Sequence, residues 1–362
     1  MSNRMWTKRF LIAAAVAFSL GTSAASAGVR DLTTTIEAEK GFLTAADDVV
    51  VRFTLRNDSR TDLYVLQWQT PLKGVKENIF EVRRDGEPVD YTGRLYKWAQ
   101  PRPQDFIRIP AGQSVSAEVE LSSVYDMSRS GEYSIQYRVP VREALRVNGR
   151  QVEKAGIQNL ESNKLSLGVE RVESPAAAST DDDDLRGITA AYLTPSYVSC
   201  SSSRQSTLLT ATANAESISL KSRNYLNNLP TASRSTDAAY RTWFGAYTSS
   251  RYSNVQSHYN AIYSAFNTKR VTYLCDCTDS AYAYVYSNRP YEIHLCNAFW
   301  SAPALGTDSK AGTLVHEMSH FSIVAGTQDY AYGQTACRNL ATSNPNRATN
   351  NADNHEYFAE TR

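Results

Sequence analysis

Neither histidine nor cysteine occurs before residue 172 of this 362-residue chain. A histidine- or thiolate-based centre is therefore excluded from the first half. A surplus of charge is missing as well. The formal net charge is +1, which gives no electrostatic ground for nucleic acid or an anionic membrane as a partner. After residue 20 no apolar run approaches the ~20 residues that a membrane-spanning helix needs. The expectation is a soluble, monomeric protein without stable membrane insertion, and its length suits two domains.

What is present begins at the N-terminus. Arg4, Lys8 and Arg9 precede an apolar run at 11–20 (LIAAAVAFSL), and Ala25-Ser26-Ala27 has the small-x-small form of a cleavage site. Residues 1–27 read as a secretory signal peptide, so the chain is expected to be secreted into the extracellular space. All five cysteines (Cys200, Cys275, Cys277, Cys296, Cys337) lie in the second half. An oxidising destination favours disulfides. Cys275 and Cys277 are too close to pair comfortably with each other, and the odd count leaves one thiol over.

Residues 28–172 alternate with period two. Val49, Val51, Phe53 and Leu55 form one apolar set, Val115, Ala117, Val119 and Leu121 a second, and Tyr133, Ile135, Tyr137 and Val139 a third. Turn signals at Asn57-Asp58-Ser59, Asp85-Gly86 and Ala111-Gly112 separate the runs. This predicts an all-β sandwich of immunoglobulin-like type. Residues 173–195 contain PAAAST and then Asp181 to Asp184, small and acidic residues that bury no core and read as a protease-accessible linker. Residues 196–362 turn helical, with apolar three- and four-residue spacings at 208–229 and 238–266, strand-like patches at 271–274, 281–286 and 291–295, and a further helix at 309–324. Asp308 is its expected N-cap and Gly326 lies past its end. This half is expected to be a mainly helical α+β domain.

His316-Glu317-Met318-Ser319-His320 is an H-E-x-x-H pattern inside that last helix. Residues four apart share a face, so both imidazoles can reach one ion, and Glu317 can take a proton from an attacking water. An ordinary amphipathic helix can carry the same letters, so a third ligand has to be found. The metzincin spacing fails, because it would need glycine at Ile323 and histidine at Gly326. Glu356, Glu360 and the nearer Asp329 are the carboxylate candidates.

Residues 326–333 read G-T-Q-D-Y-A-Y-G and fit G-T-x-D-x-x-Y-G. With H-E-x-x-H at this spacing, the region from about Ser196 to Arg362 resembles the aspzincins, the deuterolysin and peptidyl-lysine metalloendopeptidase family. The resemblance implies a zinc endopeptidase with one Zn2+ held by His316, His320 and Asp329. It also implies Glu317 as general base and Tyr332 as hydrogen-bond donor to the oxyanion. By analogy with lysine-specific members it implies the disulfides Cys200–Cys275 and Cys277–Cys296, with Cys337 as the free thiol. Bacterial members carry a propeptide in the position of the first half, which here is expected to assist folding and to inhibit its own enzyme.

In lysine-specific members an aspartate and a glutamate near the C-terminus line the pocket for the residue after the scissile bond. Asp353 and Glu356 resemble that pair, and two carboxylates in one pocket favour an extended cation. The same D-x-x-E spacing also makes a helix capping box, which is compatible with that role. Only three lysines follow Cys200, against ten arginines, and none lies between Lys164 and Lys221. A strictly lysine-directed enzyme would therefore be unable to cut within its own linker. Three alternatives stay open: broader deuterolysin-like specificity, a first half retained as a targeting module, and a binding or adhesion protein with a vestigial metal site. A toxin and a nutrient-scavenging protease would share these residues.

Overall fold

The structure is a computed structural model that describes residues 32–140, 145–147, 150–151, 159–171 and 193–362. The signal segment 1–27 and residues 173–192 of the linker lie outside the described residues.

The period-two runs form strands because alternate apolar side chains can share one face. Strand Val50–Asn57 pairs antiparallel with Leu32–Glu37 on one side and Ser114–Glu120 on the other. A second sheet orders Phe42–Leu43, Leu165–Val169, Gly131–Pro140, Phe80–Arg84 and Glu87–Pro88, with Asn159–Glu161 also paired to Gly131–Pro140. A third contains Arg150–Gln151, Leu145–Val147, Leu63–Leu66 and Phe106–Ile109. Val51, Phe53, Leu55, Tyr133, Ile135, Tyr137 and Val139 all point into one shared core. In the hairpin at Asp85-Gly86 both residues have positive φ, 51° and 88°, which fits a tight turn matched to strand twist. The first half is β-rich, as its pattern requires.

The second half is helical around a small sheet. Ser201 caps the 27-residue helix Ser202–Asn228, its side chain accepting from the Arg204 N–H. The helical spacing expected at 238–266 is realised as two helices, Ala238–Phe244 and Ser249–Thr268. Gly245 ends the first at φ 79°, where an added Cβ would meet the Ala341 carbonyl oxygen. The motif helix is Lys310–His320, shorter than expected. Its cap is Ser309, which accepts from Gly312 N–H, while Asp308 sits one residue outside at φ 51°. Helix Ala352–Glu360 packs across the motif helix.

The two halves share a sheet. Ser196–Val198, Thr272–Leu274, Glu292–Leu295 and Ala283–Tyr286 come from the second half, and Arg94–Lys97 from the first half adds as the fifth strand. Its register is antiparallel, pairing Lys97 with Ala283, Tyr96 with Tyr284, Leu95 with Val285 and Arg94 with Tyr286. Leu66, Trp68, Tyr96 and Trp98 then close a small core with Ala281, Tyr284 and Cys296. The structure contains the disulfides Cys200–Cys275 and Cys277–Cys296, with Cys337 free and buried. Among the described residues no helix is long and apolar enough to cross a membrane.

Candidate active site

The motif helix is buried along almost its whole length, so its polar residues are held by the fold and not by solvent. His316 Nε2 and His320 Nε2 lie 3.1 Å apart. The His320 ring is oriented from behind, its Nδ1 lying 2.8 Å from the Thr327 carbonyl oxygen, which leaves Nε2 facing Asp329. The chain turns at Gly326 (φ 60°), and Thr327 N–H donates back to the Ser319 carbonyl. Asn351 accepts from the Tyr330 and Ala331 N–H groups and fixes the loop beyond. Asp329 is thereby brought beneath the rings, with one carboxylate oxygen 3.3 Å from each Nε2.

These three side chains offer ligand atoms within 4.8 Å of one another. Both Asp329 oxygens are buried without a hydrogen-bond donor. Two ring nitrogens and an orphaned carboxylate in one dry spot are what a divalent cation of zinc type satisfies. Burial opposes ionisation of Asp329, yet the His320 and His316 rings hold its carboxyl well below the ordinary range. Glu317 is fully buried beside them, and neither of its oxygens has a partner. Burial pushes its carboxyl up to about 7. A carboxyl poised near neutrality suits proton transfer.

Asp353 and Glu356 are on the first two turns of Ala352–Glu360 and are buried. Asp353 lies 2.8 Å from His316 Nδ1 and Glu356 lies 3.3 Å from it, so this pair also backs the first histidine. Gly333 N–H donates to the other Asp353 oxygen at 2.7 Å. Into the same space comes Lys97 from the first half. Its Nζ is 2.7 Å from Glu356, 3.4 Å from Asp353 and 3.3 Å from Asp308, and the side chain is only 2% exposed. Burial alone would lower the affinity of Lys97 for its proton, but Asp353, Glu356 and Asp308 hold it well above the usual range. On the backbone just before it, the Tyr96 carbonyl accepts a 2.8 Å hydrogen bond from the Tyr332 hydroxyl.

Sequence reasoning found His316, Glu317, His320, Asp329, Tyr332, Asp353 and Glu356, and the structure brings all seven together. Glu360, a ligand candidate, is elsewhere: it accepts from Ser309 and Asp308 N–H groups at the start of the motif helix. Lys97 was missed, because a lysine in a β-rich half without histidine carries no motif. Asp308, read as a cap, instead faces Lys97 and accepts from the Tyr357 hydroxyl at 2.7 Å. His355 and His258 form a buried pair, Nε2 to Nδ1 at 3.0 Å. Desolvation lowers them to about 3 and about 4, so both are neutral.

A motif helix with two imidazoles, a carboxylate closing the triangle and an unpartnered glutamate beside it define a metal-dependent hydrolase of the zincin kind. The model of the family described as lysine-specific metallo-endopeptidase, the aspzincins, matches residues 230–360. The chain is 41% identical over 325 residues to an extracellular protease of Aeromonas hydrophila, covering 87% of this chain and 89% of the relative. It is 37% identical over 335 residues to a peptidyl-Lys metalloendopeptidase of Armillaria mellea, covering 88% and 90%. Among solved structures, a zinc peptidase from Grifola frondosa is 49% identical over 45% of this chain and 97% of that one, with a TM-score of 0.42. The chain belongs to the aspzincin family and is a metalloendopeptidase, a hydrolase of peptide bonds. The family implies zinc.

Proposed function

We propose that this is a secreted zinc endopeptidase that cuts on the amino side of lysine and is made as a latent precursor, its first half a sandwich-like propeptide of immunoglobulin type. The observation that carries the reading is Lys97 seated between Asp353 and Glu356, a cation in the pocket expected for the substrate's lysine. Its backbone adds to the Ala283–Tyr286 strand as an extended substrate would. The first half thus inhibits by filling the groove with its own chain. Secretion is supported by the leader pattern at 1–27 and by the extracellular Aeromonas relative. The lysine preference is supported by the fungal peptidyl-Lys relative.

His316, His320 and Asp329 would hold the ion. Bound there, zinc supplies Lewis acidity to the scissile carbonyl and acidifies a water at neutral pH. Glu317 takes the proton from the attacking water and delivers it to the departing amine. The Tyr332 hydroxyl donates to the carbonyl oxygen as negative charge develops, a contact that strengthens toward the transition state. Asp353 and Glu356 fix the lysine ammonium and so set which bond lies across the centre. Asp353 additionally braces the His316 ring.

The test is to map new termini in a denatured protein substrate by mass spectrometry, with chelated enzyme and Glu317→Ala as controls. Fragments beginning with lysine, and silent controls, are the expected result. Metal-dependent cutting indifferent to lysine would overturn the pocket assignment and keep the metal site.

A further inference from the structure

The strand that enters the groove carries information about the side of the scissile bond opposite the lysine pocket. Tyr332 donates to the carbonyl of Tyr96, and Lys97 occupies the acidic pocket. Tyr96 therefore stands in the position of the residue just before the scissile bond, and its side chain marks where that residue would lie on a substrate. Pairing with Tyr284 puts the two rings on one face of the sheet, with centroids 4.9 Å apart. Tyr284 is itself held from the far side by His294 on the next strand, stacked at 4.3 Å with planes 8° apart. The catalytic half thus presents a braced aromatic face toward the groove. Above it, the Tyr96 hydroxyl donates to Asp279 at 3.0 Å. Asp279 sits in the short loop closed by Cys277–Cys296, so the carboxylate is carried by a covalently tied segment. Its other oxygen accepts from Lys76 of the first half at 2.7 Å, a partner that leaves if the first half leaves.

We infer that Tyr284 and Asp279 form a specificity site for the residue preceding the lysine, one that takes a phenol-bearing side chain, so that Tyr–Lys bonds are preferred over other Xaa–Lys bonds. The inference rests on the reading that Arg94–Lys97 lies in the groove as a substrate does. Tyr284 supplies an edge or face for the ring, and Asp279 accepts the hydroxyl proton in a charge-assisted hydrogen bond. Phenylalanine keeps the first contact and loses the second. Alanine loses both.

The experiment uses active enzyme recovered from expression of the full chain, with its N-terminus determined. Three peptides differing only before one lysine, Ala–Lys, Phe–Lys and Tyr–Lys, are compared by kcat/KM. The expected order is Tyr above Phe above Ala, with Tyr roughly tenfold over Ala from one aromatic contact and one charged hydrogen bond. Asp279→Ala, which removes the acceptor, should bring Tyr–Lys down to the level of Phe–Lys, and Tyr284→Leu should flatten the series. Equal kcat/KM for Tyr–Lys and Ala–Lys in the unaltered enzyme overturns the inference while leaving lysine-directed cleavage standing. Cleavage at bonds unrelated to lysine overturns the underlying reading and the inference with it. The wild-type comparison decides even if a variant does not fold.

Discussion

The two halves of this molecule spend their buried interiors differently. In the first half the interior is hydrocarbon and tyrosine ring, with charges left mostly on the surface in pairs such as Lys40–Asp47 and Arg52–Glu118. Such exposed pairs contribute little. In the second half the interior holds His316, Glu317, His320, Asp353 and Glu356, all buried, with the oxygens of Glu317 and Asp329 unpartnered. Isolated buried polar groups cost stability, so a fold retains them where they serve chemistry. The comparison separates residues whose loss should unfold the protein from residues whose loss should silence it.

The sharpest separation is at Glu317. Glu317→Gln should lower kcat by about 10²- to 10⁴-fold, the usual worth of a general base. The thermal midpoint of the variant should be unchanged or higher, since a neutral amide replaces a carboxyl whose ionisation is opposed by burial. A fall in both activity and midpoint would mean that the residue is structural. Chelation should abolish activity reversibly, zinc restoring it. The opposite pattern belongs to Phe53, fully buried against Tyr137. Phe53→Ala should cost about 3–5 kcal/mol of stability in the first half, measured by denaturant unfolding, and should leave the released enzyme's kcat untouched.

Lys97 crosses the division, being a first-half residue in a second-half site. Lys97→Ala in a Glu317→Ala full chain should cost about 3–5 kcal/mol, because it strands Asp353 and Glu356 as buried carboxylates. Loss of midpoint together with faster proteolytic release of the first half is the expected readout. An unchanged midpoint would show that the lysine is not what joins the halves. Tyr332→Phe should reduce kcat by roughly 10²-fold with little change in KM, as for loss of one oxyanion donor. The smallest effect is expected at Cys337, buried and free. Cys337→Ala should cost only about 1 kcal/mol as a small packing loss, with activity retained.

Much of the site was legible before any coordinates. The i and i+4 spacing of His316 and His320 fixes their common face, whereas the third carboxylate stayed open among Glu356, Glu360 and Asp329 until the G-T-x-D-x-x-Y-G resemblance pointed to Asp329. Strand alternation was equally plain at Val51, Phe53 and Leu55, since a period of two needs no tertiary context. Helix ends were less legible. Asp308 and Ser309 are both good caps, and only the positive φ of Asp308 places it outside. Least legible was the fifth strand. Arg94–Lys97 has no alternation long enough to declare itself, and its partner lies nearly 200 residues away, so its pairing depends on how two separately built cores meet.

The acidic pocket has a consequence for the order in which the molecule comes together. A C-terminal helix carrying Asp353 and Glu356 must dock against a histidine helix with Asp308 close by, and these carboxylates repel one another in a medium that screens them poorly. In the folded chain Lys97 is their counter-ion. On the proposed reading, the Arg94–Lys97 strand balances the charge of that helix and would template the second half. Were that strand released, as proposed, the imbalance would be left behind in a finished framework. The vacated pocket would then hold a standing demand for a cation that only protons, salt or another lysine could meet.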